Sequence, residues 1–456
     1  MPDDDDLTSL LACPRCDRAP LEPTDAGLRC NGCHVDFPSI DGLPWLFADP
    51  AAALAAWRGR LHFSLRKLDE DGRRLEKAMR EKGLTELTRH RLDTLMAATA
   101  DHAQRLRALL APLEVDALAA TYETYLALRT RLPSDQGLMT YYNNVHRDWC
   151  WGDEENEASF AIVDAALAGR PPGKVLVLGA GAGRLAYDLH ERWAASTTVV
   201  LDFNPLLLML AQRLTRGESV ELYEFPLAPI DIEHQAILRK LEADHAARPG
   251  LVYVLADAHR PPFRDAGFDT IVTPWLIDIL PEPFPQLCAR FNALLAEGGR
   301  WINFGSLNFH AADPALRFSR EECAEIVART GFAEPELRED TIPYMCSPAS
   351  RHGRRERVLS FSAAKVKQAK RAPRYEALPD WLVRGKDPVP ALETFRVQAA
   401  ATRIHAFIMS LIDGHRSIKD MAALFAEQKL MPSEEAEAAI RQFLIKMHED
   451  SRRGYF

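Results

Sequence analysis

An apolar run, Lys174–Leu178, empties into a glycine turn, Gly179-Ala-Gly181-Ala-Gly183, just before Arg184 and Leu185. No other feature of the chain constrains its fold as strongly. A buried parallel strand reads as an unbroken hydrophobic run. Glycines behind it let the backbone approach a ligand closely and turn into a helix. The next apolar run, Thr197–Asp202, ends on an acid, and a third, Leu251–Ala256, is followed by Asp257 and Ala258. An acid at the tip of the second strand can take both hydroxyls of a ribose, and a second acid can accept from an adenine amine. NAD and S-adenosylmethionine (SAM) both satisfy that description, and a bare strand-to-helix turn would satisfy its first part.

The residues after Asp257 favour SAM. Pro261-Pro262-Phe263 and then Phe268-Asp269-Thr-Ile-Val-Thr273 follow in the order usual in class I methyltransferases, which this stretch resembles. The expected fold is therefore α/β, a Rossmann-like methyltransferase sheet with helices on both faces. A helix carrying Leu287, Phe291, Leu294 and Leu295, a strand at Arg300 to Gly305, and a last pair of strands near Thr341 and Val358 would complete it.

The length, 456 residues, allows two to four domains. A net charge of −9 argues against a nucleic-acid binder that uses its whole surface. The acidic start, Met1-Pro-Asp-Asp-Asp-Asp6, lacks the features of a secretion signal, and no stretch is apolar for long enough to span a bilayer. A cytosolic protein is expected.

Cys13-Pro-Arg-Cys16 and Cys30-Asn-Gly-Cys33 form two CxxC knuckles. Four thiolates at this spacing can close a tetrahedron around a structural zinc ion, leaving no position open for catalysis. His34 follows a ligand cysteine and is expected to be exposed. The string from Leu10 to Trp45 resembles the Trm112-type zinc ribbon, a family whose members support methyltransferases as small partners, which implies a ribbon over residues 1–48 fused in cis. Residues 50–170 read as a helical extension, with Leu61, Leu65 and Leu68, then Leu92, Leu95 and Met96, at helical spacing. His62, His90 and His102 lie among charged residues there and are expected in solvent. The methyltransferase domain would occupy residues 171–364. Residues 365–390, opening on a basic run from Lys365, read as a solvated linker. Residues 391–456 resemble a PqqD-like winged-helix unit through Leu411-Ile-Asp413-Gly414 and the short helix after it. Such units grip a leader peptide, and a dimerisation domain is the plainer alternative.

Three further strings resemble the carnosine N-methyltransferase-like proteins: His146-Arg147-Asp148-Trp149, Thr270-Ile-Val-Thr273-Pro-Trp-Leu-Ile-Asp278, and Gly299-Arg-Trp-Ile-Asn303-Phe-Gly305-Ser-Leu-Asn-Phe-His310. That resemblance implies that Asn144 and Arg147 reach the methionine portion of SAM. Gly179, Gly181 and Gly183 would line the cofactor, with Arg184 near its carboxylate and Pro274 among the cofactor-binding positions. Asp202 would hold the ribose, and Asp257 and Ala258 would read the adenine. Asp278, His310 and Tyr344 would face the substrate, with Asp278 and His310 catalytic. The chain departs from the family at Asn144, where Gln is usual, at Asp202, where Glu is more common, and in the late tyrosines.

The implied reaction is SAM-dependent N-methylation of an imidazole nitrogen in a histidine-containing small molecule or peptide. A neutral imidazole already has one basic nitrogen, and a carboxylate such as Asp278 could fix its tautomer. Asp278 as a helix cap and His310 as a packed histidine are the plainer readings. Two rival functions stand beside this one: an RNA or protein methyltransferase docked through the ribbon, and a non-catalytic SAM-binding scaffold. A peptide or protein partner at the C-terminal unit is expected, and neither membrane nor nucleic acid is.

Overall fold

The computed structural model describes residues 4–115, 141–309, 313–370 and 388–453. They fall into two units, one reaching to residue 370 and the other starting at residue 388.

After a short helix, Asp4–Leu10, the first unit has a four-stranded meander. β1 (Glu22–Thr24), β2 (Gly27–Arg29), β3 (Asp36–Ile40) and β4 (Leu43–Leu46) pair antiparallel in sequence. Asp41 and Gly42 join β3 to β4 with φ of 53° and 78°, as a tight two-residue hairpin turn demands. Two long helices follow, Pro50–Met79 and Glu86–Leu109. Asp49 caps the first by accepting from the Ala52 amide, with Pro50 in the opening turn, and Thr85 caps the second.

The central sheet contains β5 (Lys174–Leu178) and β6 (Thr197–Asp202). A separate hairpin of β7 (Val220–Glu224) and β8 (Ile237–Leu241) fills the insertion before β9 (Leu251–Ala256). β10 (Phe268–Pro274), β11 (Leu295–Gly305), β12 (Glu336–Tyr344) and β13 (Arg354–Ala364) complete the strands. The order is β9-β6-β5-β10-β11-β13-β12, parallel except for β13. This is the expected mixed sheet of the class I methyltransferase type. The order reverses between β5 and β10, and a ligand crevice opens at such a switch point, beyond the carboxyl ends of the strands.

Side-chain alternation explains why the strands are so apolar. Val175 and Val177 of β5 join one buried cluster, with Phe160 and Leu206, whereas Leu176 and Leu178 join the other, with Phe268 and Phe291. Both faces are covered, so every position must be hydrophobic.

The N-terminal meander extends this sheet. β4 pairs in parallel with β9, Trp45 opposite Leu255 and Leu46 opposite Ala256. The backbone groups of β9 that would form an open edge are thereby satisfied.

Three expectations change. His102 is fully buried, its ring edge-on to Tyr142 at 5.2 Å and to Phe225 at 5.3 Å. Lys365 is no tether residue: its ammonium is buried and donates to the carbonyls of Asn292 and Leu295, each at 2.7 Å. It thereby closes the C-terminal end of the helix Phe284–Leu294, where carbonyls lack intrahelical partners. The second unit holds helices Glu393–Ser410, Ile418–Glu427 and Ser433–Arg453, and no strand among its described residues, so no wing is seen there. Its core is Ile408, Leu411, Met421, Phe425 and Ile440. Asp413 accepts from the His415 and Arg416 amides to turn the chain, and Ser417 with Asp420 makes a capping box for the next helix.

Candidate functional site

The glycine turn sits at the end of β5, and its three glycines do three different things. All have positive φ, 70° at Gly179, 60° at Gly181 and 86° at Gly183. A Cβ on Gly179 would lie 2.7 Å from Leu276, and one on Gly183 would lie 3.0 Å from Ala211. These two allow close packing. A Cβ on Gly181 would meet nothing within 4 Å, so open space lies beside this glycine.

Asp202, at the tip of β6, shapes that turn. Its Oδ2 accepts from the Gly181 amide at 2.8 Å and its Oδ1 from the Asn204 amide at 2.9 Å. Burial pushes its pKa up to about 6 against the pull of those donors. A carboxylate has about four lone-pair directions, so these amides do not use up its accepting capacity.

Asp257, just past β9, accepts from the backbone amide of His259 at 2.9 Å and lies 2.7 Å from its ring Nδ1. Burial works against its ionised form, but His259 holds its pKa below the usual carboxylate range. Ala258 between them is buried. His259 went unnoticed in the sequence, although an Asp-x-His spacing is what allows this local pairing.

On the other side of the turn, the short helix Asn143–His146 carries Asn144, half-buried. Arg147 follows it. Its Nε donates to Asp148 at 2.7 Å and its Nη1 to Glu155 at 3.0 Å. Burial opposes the guanidinium charge, and these two acids more than restore it. Glu155, itself pushed up by burial, also accepts from the Met345 amide at 2.7 Å. The Arg147 fork is thus tied to the loop after Tyr344. Arg184 is equally engaged, with Nε on Asp188 at 2.9 Å and Nη1 on the Asp148 carbonyl at 3.2 Å.

Tyr344 ends β12 with its ring 4.9 Å from that of Trp275 and 4.5 Å below the Arg354 guanidinium. Trp275 itself has a φ of 50°, a left-handed conformation that is an outlier for so bulky a residue. Its amide donates to the Phe304 carbonyl at 2.7 Å, directly after the buried Pro274. No local pattern signals that conformation; it results from β10 and β11 ending together against Gly305.

Asp278 lies in the turn that follows. It caps no helix, since the next begins at Phe284 behind Pro283. It is buried, and its Oδ2 accepts from the Ser306 hydroxyl at 2.5 Å and the Asn308 amide at 2.8 Å. Its Oδ1 is buried with no hydrogen-bond partner. His310 lies outside the described residues.

Cys13, Cys16, Cys30 and Cys33 bring their sulfurs within 4.8 Å of one another. Cys13 and Cys33 are 3.6 Å apart and Cys16 and Cys30 are 3.4 Å apart, too far for disulfides and close to the edge of a sulfur tetrahedron around zinc. The two knuckles are built alike. The Asp17 amide returns to the Cys13 carbonyl and the His34 amide to that of Cys30, each at 2.8 Å, with Asp17 and His34 left-handed. Burial raises the Cys13 thiol. At Cys30 burial is outweighed by the Cys33 and Gly32 amides, which bring it down to about 7. His34 is exposed.

The switch-point crevice, the glycine turn and the acids at the strand tips belong to a SAM-dependent methyltransferase. Residues 136–351 match the family model described as carnosine N-methyltransferase. The comparison with curated proteins gives no match. Among solved structures, a Burkholderia thailandensis 1,6-didemethyltoxoflavin-N1-methyltransferase is 22% identical, with 55% of this chain and 92% of that one covered, at a TM-score of 0.32. Haemonchus contortus phosphoethanolamine N-methyltransferase 2 is 13% identical, with coverage of 46% and 53% and a TM-score of 0.31. The N-methyltransferase NodS of Bradyrhizobium japonicum WM9 is 14% identical, with coverage of 47% and 97% and a TM-score of 0.31. Likenesses this loose add nothing to the family match. Among the described residues no helix is long and apolar enough to cross a membrane.

Proposed function

We propose that the chain transfers a methyl group from SAM to an imidazole nitrogen of a histidine-containing small molecule or peptide, in the cytosol. The observation that carries this reading is the half-satisfied Asp278: one oxygen fixed by Ser306 and Asn308, the other buried without a partner. A buried acceptor left unpaired is costly, and an imidazole N–H is a donor of the right kind to complete it.

SAM would be held by the Gly181 side of the turn, Asp202 and Asp257, with Asn144 and Arg147 toward its methionine end, and it supplies an electrophilic methyl group on a sulfonium. The chain's part is placement. By accepting one ring N–H, Asp278 fixes the tautomer and aims the opposite nitrogen's lone pair. As positive charge develops on the ring, the same carboxylate stabilises it and takes up the departing proton. His310 and Tyr344 would complete the substrate side.

The cysteine cluster would hold one zinc ion as a structural centre, since four thiolates close its coordination. The second unit would recognise a peptide. The test is mass-spectrometric detection of methyl transfer from SAM to histidine, carnosine and short histidine peptides, with the wild type and Asp278→Ala. The proposal predicts methylated imidazole with the wild type alone and SAM affinity nearly unchanged in the variant. Loss of SAM binding in the variant would remove the role assigned to Asp278.

A further inference from the structure

Residues Arg147–Trp151 form one wide π turn, closed by the Gly152 amide on the Arg147 carbonyl at 2.9 Å. Turns of this kind are rare and concentrate at functional sites. A Cβ at Gly152 would lie 2.2 Å from that same carbonyl oxygen, so only glycine closes the turn without displacement.

The turn sends consecutive residues to different places. Arg147 goes to Asp148 and Glu155. Trp149, 3% exposed, reaches the glycine turn, where its indole Nε1 donates to the Ala182 carbonyl at 2.8 Å. Arg184 comes back from the other side, its guanidinium 5.6 Å from the Trp149 ring and its Nη1 on the Asp148 carbonyl. The Gly183 amide meanwhile donates to the Ala180 carbonyl at 3.0 Å. The Ala182–Gly183 peptide is therefore held at both of its polar ends.

We infer that Trp149 is a positioning residue for the methyl donor: by holding the Ala182 carbonyl toward the protein, its indole N–H fixes the glycine turn in the form that leaves the space beside Gly181 open. A carbonyl oxygen swung into that space would face the oxygens of a ribose or carboxylate with like partial charge. The hydrogen bond is buried and so is not exchanged readily for water. This inference rests on reading the turn as the SAM site. A tryptophan that only filled the core would contribute through its ring area, and its N–H would have no bearing on ligand affinity.

The test removes the N–H and keeps the ring. In the full chain, Trp149 is replaced by β-(3-benzothienyl)alanine, whose sulfur stands where the N–H was, and separately by phenylalanine (Trp149→Phe). SAM affinity is measured by calorimetry, melting temperature without ligand, and amide exchange at Gly181 and Gly183. We expect a SAM Kd raised roughly five- to twentyfold in both variants, faster exchange at the two glycines, and a KM for SAM that rises while kcat at saturating SAM is retained. A sulfur variant that binds SAM like the wild type would overturn the inference, whatever its melting temperature. A wild type that binds no SAM would overturn the underlying reading of the turn, and the inference with it.

Discussion

The Gly181 amide donates to Asp202 Oδ2 at 2.8 Å, so the acid at the tip of one strand dictates the shape of the glycine turn after its neighbour. On the proposed reading, ligand binding and loop geometry meet in this single carboxylate. Asp202→Asn keeps one acceptor and presents an NH2 group where the turn needs an acceptor or the ribose needs a partner. SAM affinity should fall by about tenfold or more, the worth of a charged hydrogen bond, with a smaller loss of thermal stability. Calorimetric titration against the wild type checks it.

Arg147 and Glu155 form a buried pair, their side chains 14% and 5% exposed. Breaking such a pair from one side leaves the other charge under-compensated, here with Asp148 as its remaining acid. Glu155→Gln should therefore cost on the order of 3 kcal/mol in urea unfolding, and it should also release the loop at Met345. Replacing an exposed glutamate such as Glu157 should cost far less, since its partner Arg192 is 45% exposed.

His102 should make the protein acid-sensitive before its carboxylates do. Burial lowers its pKa to about 4, with Asp101 opposing and Arg105 assisting. The unfolded chain takes up a proton near pH 6.5, the folded one only near pH 4. Stability is thus full above about pH 6.5 and falls as pH drops toward 4, by about 3 kcal/mol for this ring. His146, lowered by burial to about 3, extends the loss further down. In denaturant melts at a series of pH values, His102→Phe should flatten the slope between pH 6.5 and 4.

Metal content is predicted at one zinc per chain by elemental analysis. Since β4 completes the edge of β9, loosening the knuckles reaches the central sheet. Cys13→Ser should lose the metal and lower the melting temperature by roughly 5–10 °C. An unchanged melting temperature after metal loss would show that the four strands stand without it.

Sequence and structure agree where periodicity carries the information. Residues 175–178, 199–201 and 254–256 are apolar and buried because both faces are covered, and Asp202 and Asp257 stand at the strand tips, where the crevice opens. His102 lies between the charged Asp101 and Arg105, which do not reveal its burial. Ala98, His102 and Leu106, spaced by four, in fact share the buried face of one helix. Lys365 shares the composition of a basic tether because a lysine capping a distant helix end leaves no local trace. The left-handed Trp275 and the tie from Glu155 to Met345 are likewise products of chain closure, whereas the Asp257–His259 pair is a local contact between residues two apart. Residue composition does not encode the first two.

The central claim is that Asp278 orients an imidazole for methylation, and its most direct measurement is a comparison of Asp278→Asn with the wild type. Both are assayed for methyl transfer to carnosine and histidine peptides at saturating SAM, and for SAM affinity. The account predicts a loss of about a hundredfold or more in transfer at nearly unchanged SAM affinity, with the methyl group of the wild-type product on the imidazole ring. A variant that transfers as fast as the wild type, or a wild-type product methylated away from the ring, would contradict it.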